Sequence, residues 1–431
     1  MGTVVTDGGL LVLSFVSGCL AARLLQPEGR GALAAVLFWP QFVAAVGMFS
    51  LNEATSFGVA RRGSSGQHTW SSAMMLGLIL AALTIMAGLL ALPYLFARGN
   101  VDLVPYSRYY LLALVPAQFG TLIALGVDQG SLKFGRFNIV RFSVQLFYVI
   151  GLLLIAYRGR ATVGEVVAIN GGSLVVVAIV AVMRLPGGWR LPALQEIREL
   201  LSACLRFHPV YLLTISANQL DQMLAISLWD KATVGHYAVA LTVATSGFGL
   251  VGGACSRVLF PYVAAKDSGT QSDLIAGAIR HATLLMLLFA IPLAVCVPIL
   301  IPTFFGTEYR ASVLPALLLL PSHLLVAIRG LMDQLLRGCG KGKPGIIAGM
   351  LNLVCLTGLA FPLAKWGGMP GLAIAIGMSA FVGVWYFAFH LNRTMGIPWR
   401  SLWGLNRETA RTSFSIAREW WQTSFVRAGS Y

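Results

Sequence analysis

Long apolar segments alternate with short polar segments along nearly the whole chain. A helix needs about 20 mostly apolar residues to cross the hydrocarbon core of a bilayer. Twelve such segments can be drawn, at residues 8–24, 32–59, 71–96, 109–127, 139–157, 163–183, 208–229, 236–260, 282–304, 313–332, 345–364 and 370–391. The pattern predicts an all-α polytopic membrane protein with twelve transmembrane helices.

Composition supports the membrane interpretation. The 431 residues are 57% hydrophobic and only 11% charged, with a mean hydropathy of +0.78, whereas soluble domains carry about 25% charged residues. The net charge of +15 could also indicate nucleic-acid binding. In a polytopic membrane protein the commoner cause is an excess of Lys and Arg in the cytoplasmic loops, so we predict no nucleic-acid partner.

The distribution of basic residues predicts the orientation. If the N-terminus lies inside, 20 Lys and Arg fall in the cytoplasmic segments and 9 in the outer loops. By the positive-inside rule this bias places both termini in the cytoplasm. We expect a multi-pass protein of a bacterial cytoplasmic (inner) membrane.

The segments group into two lobes. Residues 1–183 form a predicted N-lobe of spans 1–6, and residues 208–391 a C-lobe of spans 7–12. Residues 184–207 join them as a predicted amphipathic helix at the cytoplasmic interface, because apolar residues recur there at helical spacing. Residues 392–431 form a tail in which Trp and Arg together favour the headgroup layer; a solvated tail is the alternative.

An internal repeat relates the two lobes. When the chain is shifted by 204 positions, residues 20–60 align with 224–264 without a gap, including Gly31 with Gly235. Asp128-Gln129 likewise corresponds to Asp333-Gln334 at an offset of 205. An even number of spans per repeat gives both repeats the same orientation, as in transporters built from parallel repeats around a central site. We therefore predict two pseudo-symmetric six-helix lobes around a central cavity.

Three sequence stretches resemble one family. ARLLQPEGRGALAAVLFWPQ resembles the first hairpin of polysaccharide exporters of the multidrug/oligosaccharidyl-lipid/polysaccharide superfamily. NQLDQMLAISLWDKATVGHYAVA looks like the start of their second lobe, and PTFFGTEYRASVLPALLLLPSHLL is similar to their junction between spans 9 and 10. The resemblance covers essentially the whole chain in order.

The resemblance implies a flippase that moves undecaprenyl-diphosphate-linked oligosaccharide across the membrane for O-antigen, lipopolysaccharide or exopolysaccharide biosynthesis. Related lipid II flippases usually have fourteen spans, which argues against peptidoglycan precursors as the substrate. Multidrug extruders of the same superfamily also have twelve spans and remain an alternative. A non-catalytic assembly subunit, or a glycan polymerase or ligase, is the alternative from another class.

Charged residues inside spans mark candidate cavity positions, since a charge at mid-membrane usually faces a cavity or a partner. Asp221 lies centrally in span 7 beside Asn218, and it could bind a coupling cation or sugar, or serve as a structural acid. Glu53, next to Asn52, and Arg257 are equivalent at the 204 offset. They could form a gate, Arg257 could hold the diphosphate, or both could snorkel to water.

Further charged residues complete the candidate set. Arg329 and Asp333 are four residues apart in span 10, a spacing that favours an intrahelical ion pair. The predicted cavity residues are Asp221, Arg257, Glu53, Asn218, Asn52, Arg23, Arg141 and Arg329. The candidates for ion coupling are Asp221, Glu53 and Asp333.

The sequence offers no catalytic, metal or cofactor site. The cysteines and histidines show no metal-ligand spacing, and no nucleotide loop or hydrolytic constellation is present. We therefore predict a non-enzymatic transporter without a cofactor. Its expected partners are a lipid-linked oligosaccharide, membrane lipids, and a polysaccharide polymerase or chain-length regulator.

Overall fold

The computed structural model describes residues 2–62, 69–96, 98–159, 161–186, 190–246, 248, 268–339 and 341–403. All regular elements in these ranges are helical. The α-helices are α1 Gly2–Gly47, α2 Leu51–Arg62, α3 Thr69–Leu95, α4 Val104–Gly130, α5 Phe134–Tyr157, α6 Val163–Met183, α7 Leu194–Leu228, α8 Lys231–Thr245, α9 Ser268–Leu300, α10 Val313–Gly338, α11 Lys343–Met395 and α12 Trp399–Trp403. Short 3₁₀ or π turns lie at Arg98–Leu103, Ile301–Phe305 and Thr307–Ser312.

Nine of the described helical stretches are long and apolar enough to cross a membrane. Two of them, Val5–Gly47 and Lys343–Met395, are each long enough for two spans. The first is kinked at Gln26 and the second at Gly368, where the backbone leaves helical geometry. With α8 as the described start of the remaining predicted span, the helices account for the twelve-helix fold of a multi-pass membrane protein.

The first two predicted spans differ from the structure in their boundaries. The polar segment that begins at Leu25 is not an extended turn, because α1 continues through it with a single non-helical residue at Gln26 (φ 59°, ψ 174°). Proline then restarts the helix at position 27, where its fixed φ suits a first turn. The predicted span 32–59 is interrupted at 48–50, where Phe49 and Ser50 have positive φ, and α2 begins afterwards.

The predicted interfacial helix and span 7 form one continuous element. Helix α7 runs without interruption from Leu194 to Leu228 and contains Pro209. Its N-terminal part packs against α2 and α3. The separate amphipathic helix predicted at 184–207 is therefore the first part of a longer helix, which continues through Pro209.

Local signals set other helix starts. Thr162 and Glu165 form a capping box at α6, in which the Glu165 backbone N–H donates to the Thr162 hydroxyl and the Thr162 N–H donates to the Glu165 carboxylate. Before α8, the Thr233 hydroxyl donates to the Asp230 carboxylate at 2.5 Å. This hydrogen bond lowers the pKa of the Asp230 carboxyl below its ordinary value.

The chain divides into two compact units. One comprises Gly2–Val239 with Pro302–Tyr309, and the other comprises Ala240–Ile301 with the chain from Arg310 onward. This division follows packing, whereas the lobes at 1–183 and 208–391 were inferred from the internal repeat. Those lobe boundaries therefore stay a prediction.

Candidate functional site

The turns that open the two repeats meet at a pair of glycines. A Cβ atom on Gly31 would overlap the carbonyl oxygen of Lys231 and lie 2.8 Å from the backbone nitrogen of Gly235. A Cβ on Gly235 would overlap the carbonyl oxygen of Pro27 and lie 3.1 Å from the nitrogen of Gly31. Positions 27 and 31 correspond to 231 and 235 at the 204 offset, so the contact is reciprocal, as a two-fold axis requires.

Hydrogen bonds of Arg23 and Tyr309 accompany the contact of this glycine pair. Arg23 donates from Nε to the carbonyl oxygen of Phe304 at 2.9 Å and from Nη2 to that of Thr303. The Tyr309 hydroxyl donates to the carbonyl oxygen of Ala22 at 3.1 Å. These bonds tie the end of span 1 to the turns that precede α10.

The second repeat makes a comparable link from a different position, since Arg23 corresponds to Ser227 at the 204 offset. Lys231, which opens α8, forms an ion pair with Asp102, with Nζ and Oδ2 2.7 Å apart. Asp102 lies in the turn that precedes α4, and α4 corresponds to α10 in the repeat. We call the Gly31–Gly235 contact, the bonds of Arg23 and Tyr309, and the Lys231–Asp102 pair the hairpin closure. Arg23, predicted as a cavity residue, is part of this closure.

The predicted acid Asp221 is buried between α7 and α8. The Tyr237 hydroxyl donates to its Oδ2 at 2.6 Å, and both side chains are buried. Asp221 lies seven residues before the end of α7, which is about 10 Å along the axis at the helical rise per residue. A buried carboxylate is costly unless it is hydrogen-bonded, and Tyr237 supplies one such bond.

The first repeat has no acid at the equivalent position. Ser17 corresponds to Asp221 at the 204 offset, and it accepts a hydrogen bond from Gln145 Nε2 at 2.9 Å. Leu33 likewise corresponds to Tyr237. The two repeats therefore differ at a pair of positions. The first repeat has Ser17 and Leu33, and the second has Asp221 with Tyr237 as its hydrogen-bond donor. Sequence reasoning missed Tyr237, although this coupled difference was a readable signal.

Three other described polar candidates are more exposed than Asp221. Asn218 is exposed on α7, and Asn52 is half-buried at the start of α2. Glu53 is exposed in the first turn of α2, where a carboxylate is favoured by the helix dipole. Arg257, its predicted gate partner, lies outside the described residues, so the Glu53–Arg257 pair stays a prediction.

Arg141 is held by an acid that the sequence analysis did not single out. Its Nη2 lies 3.0 Å from Asp7 Oδ1, and its guanidinium carbon lies 5.3 Å from the ring centroid of Phe137. These contacts join α5 to the start of α1. Because Asp7 is more than 130 residues away in sequence, as its separation of 134 shows, no local spacing predicts the pair.

The expected Arg329–Asp333 ion pair is wrong. Asp333 Oδ2 lies 2.8 Å from Arg337 Nη2. Arg329 and Arg337 are both four residues from Asp333, so helical spacing allows either ion pair. The Asp333 carboxylate lies against Gly345 of α11. In the first repeat the corresponding Asp128 pairs with Arg136 at 3.4 Å.

Arg329 makes no close ion pair with Asp333, although the charge of that carboxylate still acts on it. A Cβ on Gly383 would lie 2.6 Å from Arg329 Cδ, so its side chain crosses α11 where only glycine leaves room. Its Nε is buried and has no hydrogen-bond partner within the described chain. A buried Nε–H group without a partner can donate to an anionic group.

In the described ranges, no three or more His, Cys, Asp or Glu side chains are grouped so that they could hold a metal ion. The charged groups of the site are single acids and single arginines instead. Such an arrangement can bind a monovalent cation or proton at Asp221 and an anionic group at an arginine.

Solved structures with the same fold are transporters and flippases. One is a lipid II flippase, MurJ, in an inward closed conformation, with 13% identity, a TM-score of 0.78, and coverage of 98% of this chain and 92% of that chain. Another is a multidrug resistance MATE family transporter of the MOP superfamily in an inward-facing conformation, with 17% identity, a TM-score of 0.73, and coverage of 89% and 94%. A MOP superfamily transporter from Pyrococcus furiosus aligns with 16% identity, a TM-score of 0.55, and coverage of 90% and 95%.

The chain therefore has the same fold as these transporters and flippases. Residues 20–314 match the family described as Polysaccharide biosynthesis protein. This match covers more than half of the chain, so the chain belongs to that family. No curated protein sequence matches the chain.

Proposed function

We propose that this protein is an alternating-access flippase for undecaprenyl-diphosphate-linked oligosaccharide. The match of residues 20–314 to a polysaccharide biosynthesis family is the observation that carries the proposal. The fold shared with a lipid II flippase supports it, because that protein moves a lipid-linked precursor. The cargo would pass from the cytoplasmic to the outer leaflet of the bacterial inner membrane, for O-antigen, lipopolysaccharide or exopolysaccharide biosynthesis.

The hairpin closure would act as the outer gate of this flippase. With both termini in the cytoplasm, the ends of spans 1 and 7 lie at the outer side of the membrane. The closure then seals the outer side and must open to release the glycan. Parallel repeats can rock about a contact on their shared axis, and the reciprocal Gly31–Gly235 contact meets that requirement.

The acidic and the basic residues inside the protein would have different roles. Asp221 would respond to the coupling ion, because its carboxylate is buried and its protonation or cation binding changes the bond to Tyr237. Arg329 would hold the diphosphate: Arg30, Arg280 and Arg329 each have a buried Nε without a hydrogen-bond partner in the described ranges, and of these only Arg329 is a predicted cavity residue. Arg257 and Glu53 remain proposed members of the same cavity, together with Asn218, Asn52 and Arg141, and Asp333 remains a coupling candidate.

The proposed flippase is not an enzyme and acts in a pathway. A polysaccharide polymerase or chain-length regulator on the outer face would consume the flipped product. The protein requires no cofactor in this scheme, because an ion gradient or downhill flow of cargo supplies the driving force.

The test uses cells that lack the gene and carry a mass-tagged undecaprenyl-linked pool. We expect lipid-linked oligosaccharide to accumulate facing the cytoplasm, and wild-type protein to reverse the accumulation. Arg329→Gln, Arg329→Lys, Arg257→Ala and Asp221→Asn should restore flipping at least about tenfold less well, the loss expected when one charge-assisted contact worth 1.5–3 kcal/mol is removed. Arg393→Gln, an exposed arginine, is the matched control and should restore it fully.

An unchanged lipid pool in the deleted cells would overturn the flippase proposal. Because a multidrug resistance transporter shares the fold, new sensitivity of these cells to cationic drugs would then favour an extruder. Accumulation reversed equally by all variants would retain the flippase and remove the proposed residue roles.

A further inference from the structure

A basic cavity lies between α2, α3 and the first half of α7. It has a volume of about 560 Å³ and is lined by Arg61, Arg198, Arg206, Glu196, Glu199 and Ser202, among others. None of these side chains belongs to the predicted transport cavity or to the hairpin closure. We propose that this cavity binds the headgroup of an anionic phospholipid of the cytoplasmic leaflet.

The charge of the cavity favours an anion because three arginines line it against two glutamates. Glu196 Oε2 accepts a hydrogen bond from the Ser72 hydroxyl at 2.6 Å, and Glu199 Oε1 accepts one from Gln195 Nε2 at 3.4 Å. Within the described chain, the structure pairs neither Arg61 nor Arg198 with a carboxylate. The guanidinium groups are therefore available for a phosphate, which they can bind bidentately.

The hydrogen bonding of Arg206 also favours an anionic ligand. Its Nε donates to the carbonyl oxygen of Ser202, one turn earlier in α7, at 3.3 Å. This bond uses the inner edge of the guanidinium and leaves the two terminal nitrogens free for a ligand. Arg198, Ser202 and Arg206 follow one another at four-residue spacing, so they share one face of α7.

Apolar side chains border the basic cavity and identify the ligand as an amphiphile. Phe57, which lines the cavity, is 45% exposed, and Leu201 and Leu205 on the adjoining face of α7 are 39% and 59% exposed. Phe57 also packs edge-to-face on Phe207, with ring centroids 6.1 Å apart. A soluble phosphate would leave this surface uncovered, whereas an acyl chain would cover it.

The position of the basic cavity along the chain indicates which leaflet supplies the lipid. Arg61 and residues 184–207 belong to segments that the charge bias places in the cytoplasm. The cytoplasmic leaflet carries anionic lipids, and basic pockets between transmembrane helices on that side bind their headgroups. The site is distinct from the proposed flippase cavity, so it can fail or succeed independently of that proposal.

The experiment measures lipid retention by native mass spectrometry on the full-length protein in neutral detergent. Phosphatidylglycerol is added, with phosphatidylcholine as the zwitterionic comparison. We expect selective retention of phosphatidylglycerol, and about fivefold weaker binding for each cavity arginine removed. The variant Arg61→Gln/Arg198→Gln/Arg206→Gln should therefore lose retention, and Arg198→Gln alone should weaken it without endangering the fold.

The matched control removes the same charge elsewhere. Arg108→Gln/Arg158→Gln/Arg393→Gln alters three exposed arginines and should retain phosphatidylglycerol like the wild type. Equal loss in both triple variants, or equal retention of the two lipids by the wild type, would overturn the proposal. Displacement by glycerol phosphate would assign the site to a soluble phosphate, and displacement by a lower concentration of undecaprenyl phosphate would assign it to the transport substrate.

Discussion

At the residue scale, two glycines decide how closely the hairpins approach. Gly31 and Gly235 each face a backbone carbonyl of the other hairpin, so a methyl group at either position forces the backbones apart. Their sequence equivalence was visible from the repeat, but their mutual contact was not, because alignment shows which positions correspond and not which positions touch.

We expect Gly31→Ala and Gly235→Ala each to lower the free energy of unfolding by about 1–3 kcal/mol, as overpacking does. Thermal unfolding in detergent measures the effect. Gly8→Ala is the matched control on the same helix, because a Cβ there would have no neighbour within 4 Å. Equal stability of Gly31→Ala and Gly8→Ala would contradict the contact.

A second prediction at this scale concerns Asp221 and Tyr237. Tyr237→Phe removes a buried donor to a carboxylate and should lower the free energy of unfolding by about 1–3 kcal/mol. The same change in an Asp221→Asn background should cost less, because the charged acceptor is gone, so the two substitutions should not add. Tyr157→Phe, at a side chain that is 94% exposed, should be neutral. If the losses of stability of the two single variants add up to that of the double variant in thermal unfolding, the two side chains are not coupled.

At the element scale, repeat-related turns link helices that are distant in sequence. The end of span 1 binds the segment before α10, and the start of α8 binds the segment before α4. These bonds are weak individually, since a surface ion pair contributes about 0–1 kcal/mol. Each joins the first hairpin of one repeat to the segment before the fourth span of the other repeat, and together they form the closure.

The Lys231–Asp102 pair can be tested by charge exchange. Lys231→Asp and Asp102→Lys should each increase thiol labelling of Cys19, one helical turn before Arg23, by about two- to fivefold, in a protein whose other cysteines are replaced. This range corresponds to a loss of up to about 1 kcal/mol in the closed arrangement. The double exchange should return labelling to the starting value, and its failure to do so would show that the pair does not hold the closure.

At the scale of the whole molecule, the repeat and the charge asymmetry have different consequences. The repeat supplies two similar hairpins that can meet on an axis. The acid at 221, against serine at 17, is a difference between the repeats, and in the proposed flippase it would make only one repeat respond to a cation.

The sequence by itself determined the helical class, the number of spans, the repeat and the family resemblance. These depend on apolar segment length and on order along the chain, which hydropathy and spacing express directly. It also marked Asp221 as a buried acid, since few other acids lie so deep in an apolar segment.

Only the tertiary structure decided which partner each charge has. Asp333 pairs with Arg337 instead of Arg329, Arg141 pairs with Asp7, and Asp221 receives its bond from Tyr237. Helical spacing allows several partners for a charge, and contacts between distant helices have no spacing at all. The choice among them is made by packing, because side-chain geometry and glycine clearances exist only once the helices are assembled.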